Sequence, residues 1–163
     1  QYWWDMRTVV EALKKDLLTS REGCNVLAAH GTGETAVGSN STYLGLDRML
    51  SMEYDNTFLG SVEGITSGEE AMARAKACKA KKVRFIPFMY VAGDHIMNDI
   101  MGAEPDEDGE LSWSLQMKKV GFATEATVGS YKGREYFKGL GFYPEINSIY
   151  IEGIVRLLKK FEM

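Results

Sequence analysis

Histidine is scarce in this chain: 163 residues hold two, His30 and His95. Cysteine is equally scarce. Cys24 and Cys78 fit neither the closely spaced set of a disulfide-stapled fold nor a CxxC metal site, so they are expected to be reduced, partly buried thiols of a cytoplasmic protein. Positive charge is not in excess: 19 Lys and Arg face 23 Asp and Glu, a net charge of −4, and no dense basic patch suggests a nucleic-acid partner. No apolar run approaches the length of about 20 residues that a membrane-spanning helix needs, so no membrane partner is expected. The opening QYWWDMRTVV lacks the basic leader and cleavage pattern of a signal peptide, and its glutamine start is compatible with a longer parent chain. No internal repeat is evident.

What is present is ordinary globular material, 45% hydrophobic and 26% charged, sized for one domain spanning residues 1–163. Apolar residues at helical spacing predict helices over residues 4–18, 41–52, 113–120 and 145–161, the last with Ile151, Ile154, Val155 and Leu158 on its buried side. Ser67 and Glu70 have capping-box spacing for a helix over 68–79, and residues 94–101 could form a short one. Buried strands are expected in NVLAA, in residues 57–62, in residues 82–91 and in FATEATV. GTGETAVGSNS and AEPDEDGE read as loops, and SYKGREYFKGLGFYP as a long glycine- and aromatic-rich connection. Strands alternating with helices predict an α/β fold: an open parallel sheet of about four strands with helices on both faces.

In such sheets ligands bind beyond the carboxyl ends of the strands. His30 ends the first strand-like run, Glu63 ends the second, and His95 follows the third, at separations of 33 and 32 residues (63 − 30 and 95 − 63). Two imidazoles and a carboxylate suit a divalent first-row metal with open coordination positions. Each group alone reads as a hydrogen-bonded or solvated loop residue; the coincidence of three points to a metal. Glycine beside or near each (Gly31, Gly64, Gly93) would let a flat ligand approach the backbone.

The segments AAHGTG, SNSTYLGLDRML, NTFLGSVEG and KKVRFIPFMYVAGDHIMNDI resemble the anaerobic sirohydrochlorin cobaltochelatases, class II chelatases of vitamin B12 synthesis. PFMYVAGDHIMND is the most specific of them, and the match continues weakly through SWSLQMKKVGF and the closing helix. The resemblance implies a chelatase-like, flavodoxin-like half, similar to the metal-binding carboxyl-terminal half of a two-half enzyme. It implies ATP-independent insertion of Co²⁺, as substrate, into sirohydrochlorin, with Ni²⁺ or Fe²⁺ also suited to the ligand set. His30, Glu63 and His95 would be the metal ligands and the catalytic groups, one imidazole doubling as base near pH 7. The family's cleft lies between two similar halves, so the resemblance further implies either a homo-oligomer or a separate amino-terminal half. The competing reading is a metal- or tetrapyrrole-binding module without chelatase turnover.

Gly31, Thr32, Met89, Tyr90 and Asp94 are the candidates to line the tetrapyrrole site. For Met89 core packing is the favoured reading. Asp94 could orient His95 through a hydrogen bond or simply cap the following turn. Lys132, Arg134 and Lys138 are candidates to meet the substrate's carboxylates, or are plain surface.

Overall fold

A computed structural model describes residues 2–33 and 35–161; Gln1, Glu34 of the glycine-rich loop and the last two residues lie outside them. Strands β1 (Cys24–Gly31), β2 (Thr57–Glu63), β3 (Lys82–Phe88) and β4 (Ala123–Ala126) form one parallel sheet in the order β2-β1-β3-β4. Helices α1 (Tyr2–Leu13), α2 (Val37–Glu53), α3 (Gly68–Ala75), α4 (Trp113–Lys119) and α5 (Pro144–Phe161) flank it. The architecture is the open α/β sheet that the alternating pattern predicts. Both faces of the central strands are covered, which is why those strands read as nearly continuous apolar runs.

The two-residue period of the strands sorts their side chains into two cores. Val26, Ala28, Phe58 and Phe85 pack with Met72 of α3, Trp113 and Met117 of α4, and Ile96 and Ile100. Leu27, Ala29, Leu59 and Ile86 pack with Leu13 of α1, Leu46 and Leu50 of α2, and Ile146 of α5. The sheet is thereby clamped from both sides, and its carboxyl edge is held at fixed height.

Several boundaries differ from the sequence expectation. α1 stops at Leu13, short of residue 18, and passes into a 3₁₀ turn over Lys14–Asp16. The backbone of Leu18 is taken by buried asparagines: its N–H donates to Asn25 at 2.8 Å, and its carbonyl accepts from Asn25 at 3.0 Å and Asn56 at 2.8 Å. α2 begins at Val37 rather than residue 41, with Ser41 and Thr42 hydroxyls donating to the carbonyls of Val37 and Gly38 inside the helix. α3 ends at Ala75 instead of continuing to 79, although Ser67 accepts from the N–H of Glu70 at 3.2 Å as its spacing predicts. β3 ends at Phe88, before residue 91. The carbonyls of Met89 and Tyr90 accept instead from the N–H groups of Leu140 and Gly141, at 2.8 and 3.0 Å.

The segment after β4, expected as a connection, holds an antiparallel hairpin, β5 (Val128–Tyr131) and β6 (Arg134–Phe137). Lys132 and Gly133 turn it with φ of 49° and 75°, the two positive values of a type I′ turn. Lys132 and Arg134 are exposed there. Lys138 is not available as a substrate contact. Its ammonium donates to Asp16 at 2.7 Å and lies over the Tyr143 ring, while the Tyr143 hydroxyl donates to the same carboxylate oxygen at 2.8 Å. Burial of Tyr143, aided by that carboxylate, pushes its pKa well above the usual phenol range.

Two further expectations are corrected. Cys24 and Cys78 are joined as a disulfide: α3 packs on β1 and β2 and brings the two Cα atoms to 6.2 Å. On α5 only Ile146 is buried; Ile151, Ile154, Val155 and Leu158 are exposed, together with Tyr150, Leu157 and Phe161. The first turns of α5 pack on the domain, and the remainder carries its apolar side chains past the area the sheet layers can cover. Among the described residues no helix is long and apolar enough to cross a membrane.

Candidate metal site at the carboxyl edge of the sheet

The strand order places β1 in the middle, with β2 on one side and β3 on the other. From β1 the chain moves outward to β2, then crosses back over β1 to β3. The crevice between the carboxyl ends of β1 and β3 is therefore the topological switch point, where open α/β sheets bind ligands. His30 lies at the end of β1 and His95 in the turn beyond β3, so the two histidines stand on either side of this crevice.

Their rings meet. The centroids are 4.6 Å apart and the planes 87° to each other, edge against face. A divalent ion about 2.1 Å from one nitrogen of each ring would place two cis imidazole centres roughly 4.5–5.5 Å apart, so this separation suits a shared ion. His30 Nδ1 lies 3.1 Å from the carbonyl oxygen of Gly31, and His95 Nδ1 lies 2.7 Å from Asp99 Oδ2. Both acceptors engage the Nδ1 side of the rings. His95 belongs to a turn anchored by the fully buried Ile96 and Ile100, whose backbone closes as a π-turn with the Met101 N–H donating to Ile96 O at 3.0 Å. Single π-turns of this kind recur at functional sites.

An open cavity of about 540 Å³ adjoins the pair. His30, Met89, Tyr90, Asp94 and His95 line it, as do Tyr43 from α2, Phe88 and Leu140. Tyr90 is half exposed and fixed to the start of α5, its hydroxyl donating to Asn147 at 3.0 Å and its ring edge-on to Tyr150 at 5.4 Å. Met89 packs partly against the core and partly faces the cavity.

Glu63 and Thr32 lie outside that wall. Glu63 is exposed at the carboxyl end of β2 and is registered with Gly31, one residue out of phase with His30. Pleat alternation therefore starts its side chain on the opposite face of the sheet. Among the described residues no three His, Cys, Asp or Glu side chains are gathered as a set that could hold an ion. The structure thus brings two of the three candidate ligands together and leaves the third at the same edge.

The glycines do something different from what the sequence suggests. Gly31 and Gly64 have φ of 84° and 80°; a Cβ on Gly31 would sit 1.8 Å from the Glu63 carbonyl oxygen, and one on Gly64 would sit 2.0 Å from that of Thr32. They are needed so that the ends of β1 and β2 can touch, not to admit a ligand. Of the three, Gly93 alone has open space around it. Asp94 does not orient His95, because its carboxylate accepts from Asn98 at 2.8 Å and Asp99 takes the imidazole instead. The four-residue spacing from His95 to Asp99 on a helical turn is the available sequence signal for this pairing. Tyr43 and Leu140 carry none, since both reach the cavity from distant segments.

The sequence model of the family described as cobalt chelatase (CbiK) matches residues 1–159. Among solved structures, a protein assigned to cobalamin (vitamin B12) biosynthesis as CbiX, from Marinobacter aquaeolei VT8, superposes with a TM-score of 0.58 at 15% identity. The alignment covers 85% of this chain and 98% of that one. At so low an identity the likeness speaks for the fold.

Proposed function

The chain belongs to the cobalt chelatase (CbiK) family, and on that premise we propose that it inserts Co²⁺ into sirohydrochlorin in cobalamin synthesis, without ATP. The observation that carries this reading is the His30–His95 pair at the switch point, beside an open, aromatic-lined cavity. In the proposed reaction the two imidazoles hold the ion through their Nε2 atoms. The Glu63 side chain, exposed at the last residue of β2, swings over the sheet edge to complete the set and reduce the charge on the ion. The macrocycle releases two pyrrole protons as it accepts the metal; a neutral imidazole freed from the ion takes one at its Nε2, the Glu63 carboxylate takes the other, and both pass to water. A mixed nitrogen and oxygen set binds such an ion without the soft thiolates that would retain it, which suits a site that must let go. Ni²⁺ and Fe²⁺ fit the same ligands.

A flat macrocycle is normally buried on both sides, whereas this cavity is open. The exposed apolar side chains of α5 begin with Tyr150, whose ring touches Tyr90 at the cavity rim. We take this to mean that the chain acts as the metal-bearing half of a cleft, closed by a second copy or by a separate half. The dispersed position of Glu63 favours one other reading, a module that binds metal or tetrapyrrole without turnover. Anaerobic incubation of the chain with Co²⁺ and sirohydrochlorin separates the two. The absorption spectrum of the tetrapyrrole should shift to that of its cobalt complex with many turnovers per chain, and light scattering should find the active species larger than a monomer. One-to-one binding with no rate above the spontaneous reaction would establish the binding module instead.

A further inference from the structure

His95 and Asp99 form a clasp on the turn that follows β3, with Nδ1 and Oδ2 2.7 Å apart. An ionised carboxylate can only accept, so the imidazole supplies the proton and carries it on Nδ1. From this geometry we propose that Asp99 is the positioning residue of the site: it decides which nitrogen of His95 meets the metal. The proposal rests on the reading of His95 as a metal ligand and adds a residue that neither the spacing of the strand ends nor the family match identifies.

Free neutral imidazole exists as two tautomers, and a metal binds only the unprotonated nitrogen. Fixing the proton on Nδ1 leaves the Nε2 lone pair free and stops the ring from turning. The negative charge on Asp99 also makes Nε2 a stronger donor, as carboxylate partners do for metal-bound histidines generally. His30 has the weaker version of the same arrangement, with a neutral carbonyl oxygen at 3.1 Å on its Nδ1. The two rings are thus unequal, and His95 is the better held.

The clasp is built into the fold. Ile96 and Ile100 are fully buried and alternate with the clasp residues, so the inner side of the turn is locked and the outer side presents His95 and Asp99 together. A parallel bond between Asn98 and Asp94 braces the same turn. Asp94 is thereby committed elsewhere and does not compete for the imidazole. Asp99 also borders a separate cleft of about 830 Å³ on the α3 and α4 side.

The test uses the ¹⁵N-labelled full chain. Long-range proton–nitrogen correlation spectra report the tautomer of each histidine, and calorimetric titration with Co²⁺ alone reports affinity. His95 of the wild type should show the Nδ1–H form. In Asp99→Ala it should revert to the Nε2–H form that an unconstrained histidine side chain prefers, His30 should be unchanged, and cobalt affinity should fall about 10–100-fold. Asp99→Asn, which offers an uncharged oxygen at the same place, should bind cobalt with an affinity between the two. A wild-type His95 already in the Nε2–H form, an unchanged tautomer in Asp99→Ala, or equal cobalt affinity in that variant would overturn the proposal. Should Asp99→Ala fail to fold, the wild-type spectrum and the Asp99→Asn titration decide it. A chain that shows the clasp and binds cobalt but never inserts it would sink the chelatase reading and leave the role of Asp99 standing.

Discussion

His95→Ala should reduce cobalt insertion to the spontaneous rate while the chain remains folded. The imidazole is partly exposed and outside both cores, and the turn that carries it is held by Ile96 and Ile100. The stability loss should therefore stay within the ordinary range for a single substitution, about 0.5–3 kcal/mol. Function should suffer far more, because only two imidazoles meet at the switch point and an ion destined for transfer cannot be held by one of them. Insertion followed by absorption, beside a urea melt of the same preparation, separates the two effects. Undiminished cobalt uptake by the variant would return His95 to the role of a hydrogen-bonded loop residue.

Gly31→Ala should be the most damaging single methyl group in the site region. Its φ of 84° costs an L side chain about 1–2 kcal/mol. The added Cβ would lie 1.8 Å from the Glu63 carbonyl oxygen and 2.8 Å from Ser61 Cβ, with backbone rather than a flexible side chain as the closest obstacle. Forced overpacking of this kind adds about 1–3 kcal/mol. The ends of β1 and β2 must part to make room, and His30 moves with them, so cobalt binding should weaken together with stability. Gly93→Ala is the control: nothing lies within 4 Å of the point its methyl group would occupy, and its φ is not positive. The two variants compared by denaturant midpoint should differ clearly. Equal stability would mean that the close approach of the strand ends is not a constraint.

The layered fold is legible in the sequence because its signal is local and repeated. Each of CNVLAA, TFLGSV and VRFIPF is largely apolar along its length, as a strand covered on both faces must be. His30 and His95 are legible because the rule for open sheets needs only the end of a strand. That rule does not encode strand order or side-chain phase. Glu63 ends a strand as His30 does, yet its register with Gly31 puts it one residue out of phase with His30, and no spacing along the chain reveals that. The hairpin is hidden because its turn is Lys132-Gly133, where the lysine takes a positive φ that its side chain gives no reason to expect. On α5, periodicity alone makes the apolar positions look buried. Periodicity marks what must be covered and says nothing about whether the same domain covers it.

The central claim is that the two strand-edge histidines hold the metal that the enzyme delivers. X-ray absorption at the cobalt edge, on the chain loaded with one equivalent of Co²⁺ under anaerobic conditions, addresses it without relying on turnover. The expected spectrum contains the outer-shell scattering of two imidazole rings, with nitrogen and oxygen neighbours at about 2.0–2.2 Å, by analogy with other divalent first-row ions. His30→Ala should remove one ring. A wild-type spectrum with oxygen neighbours alone, unchanged by that substitution, would contradict the site.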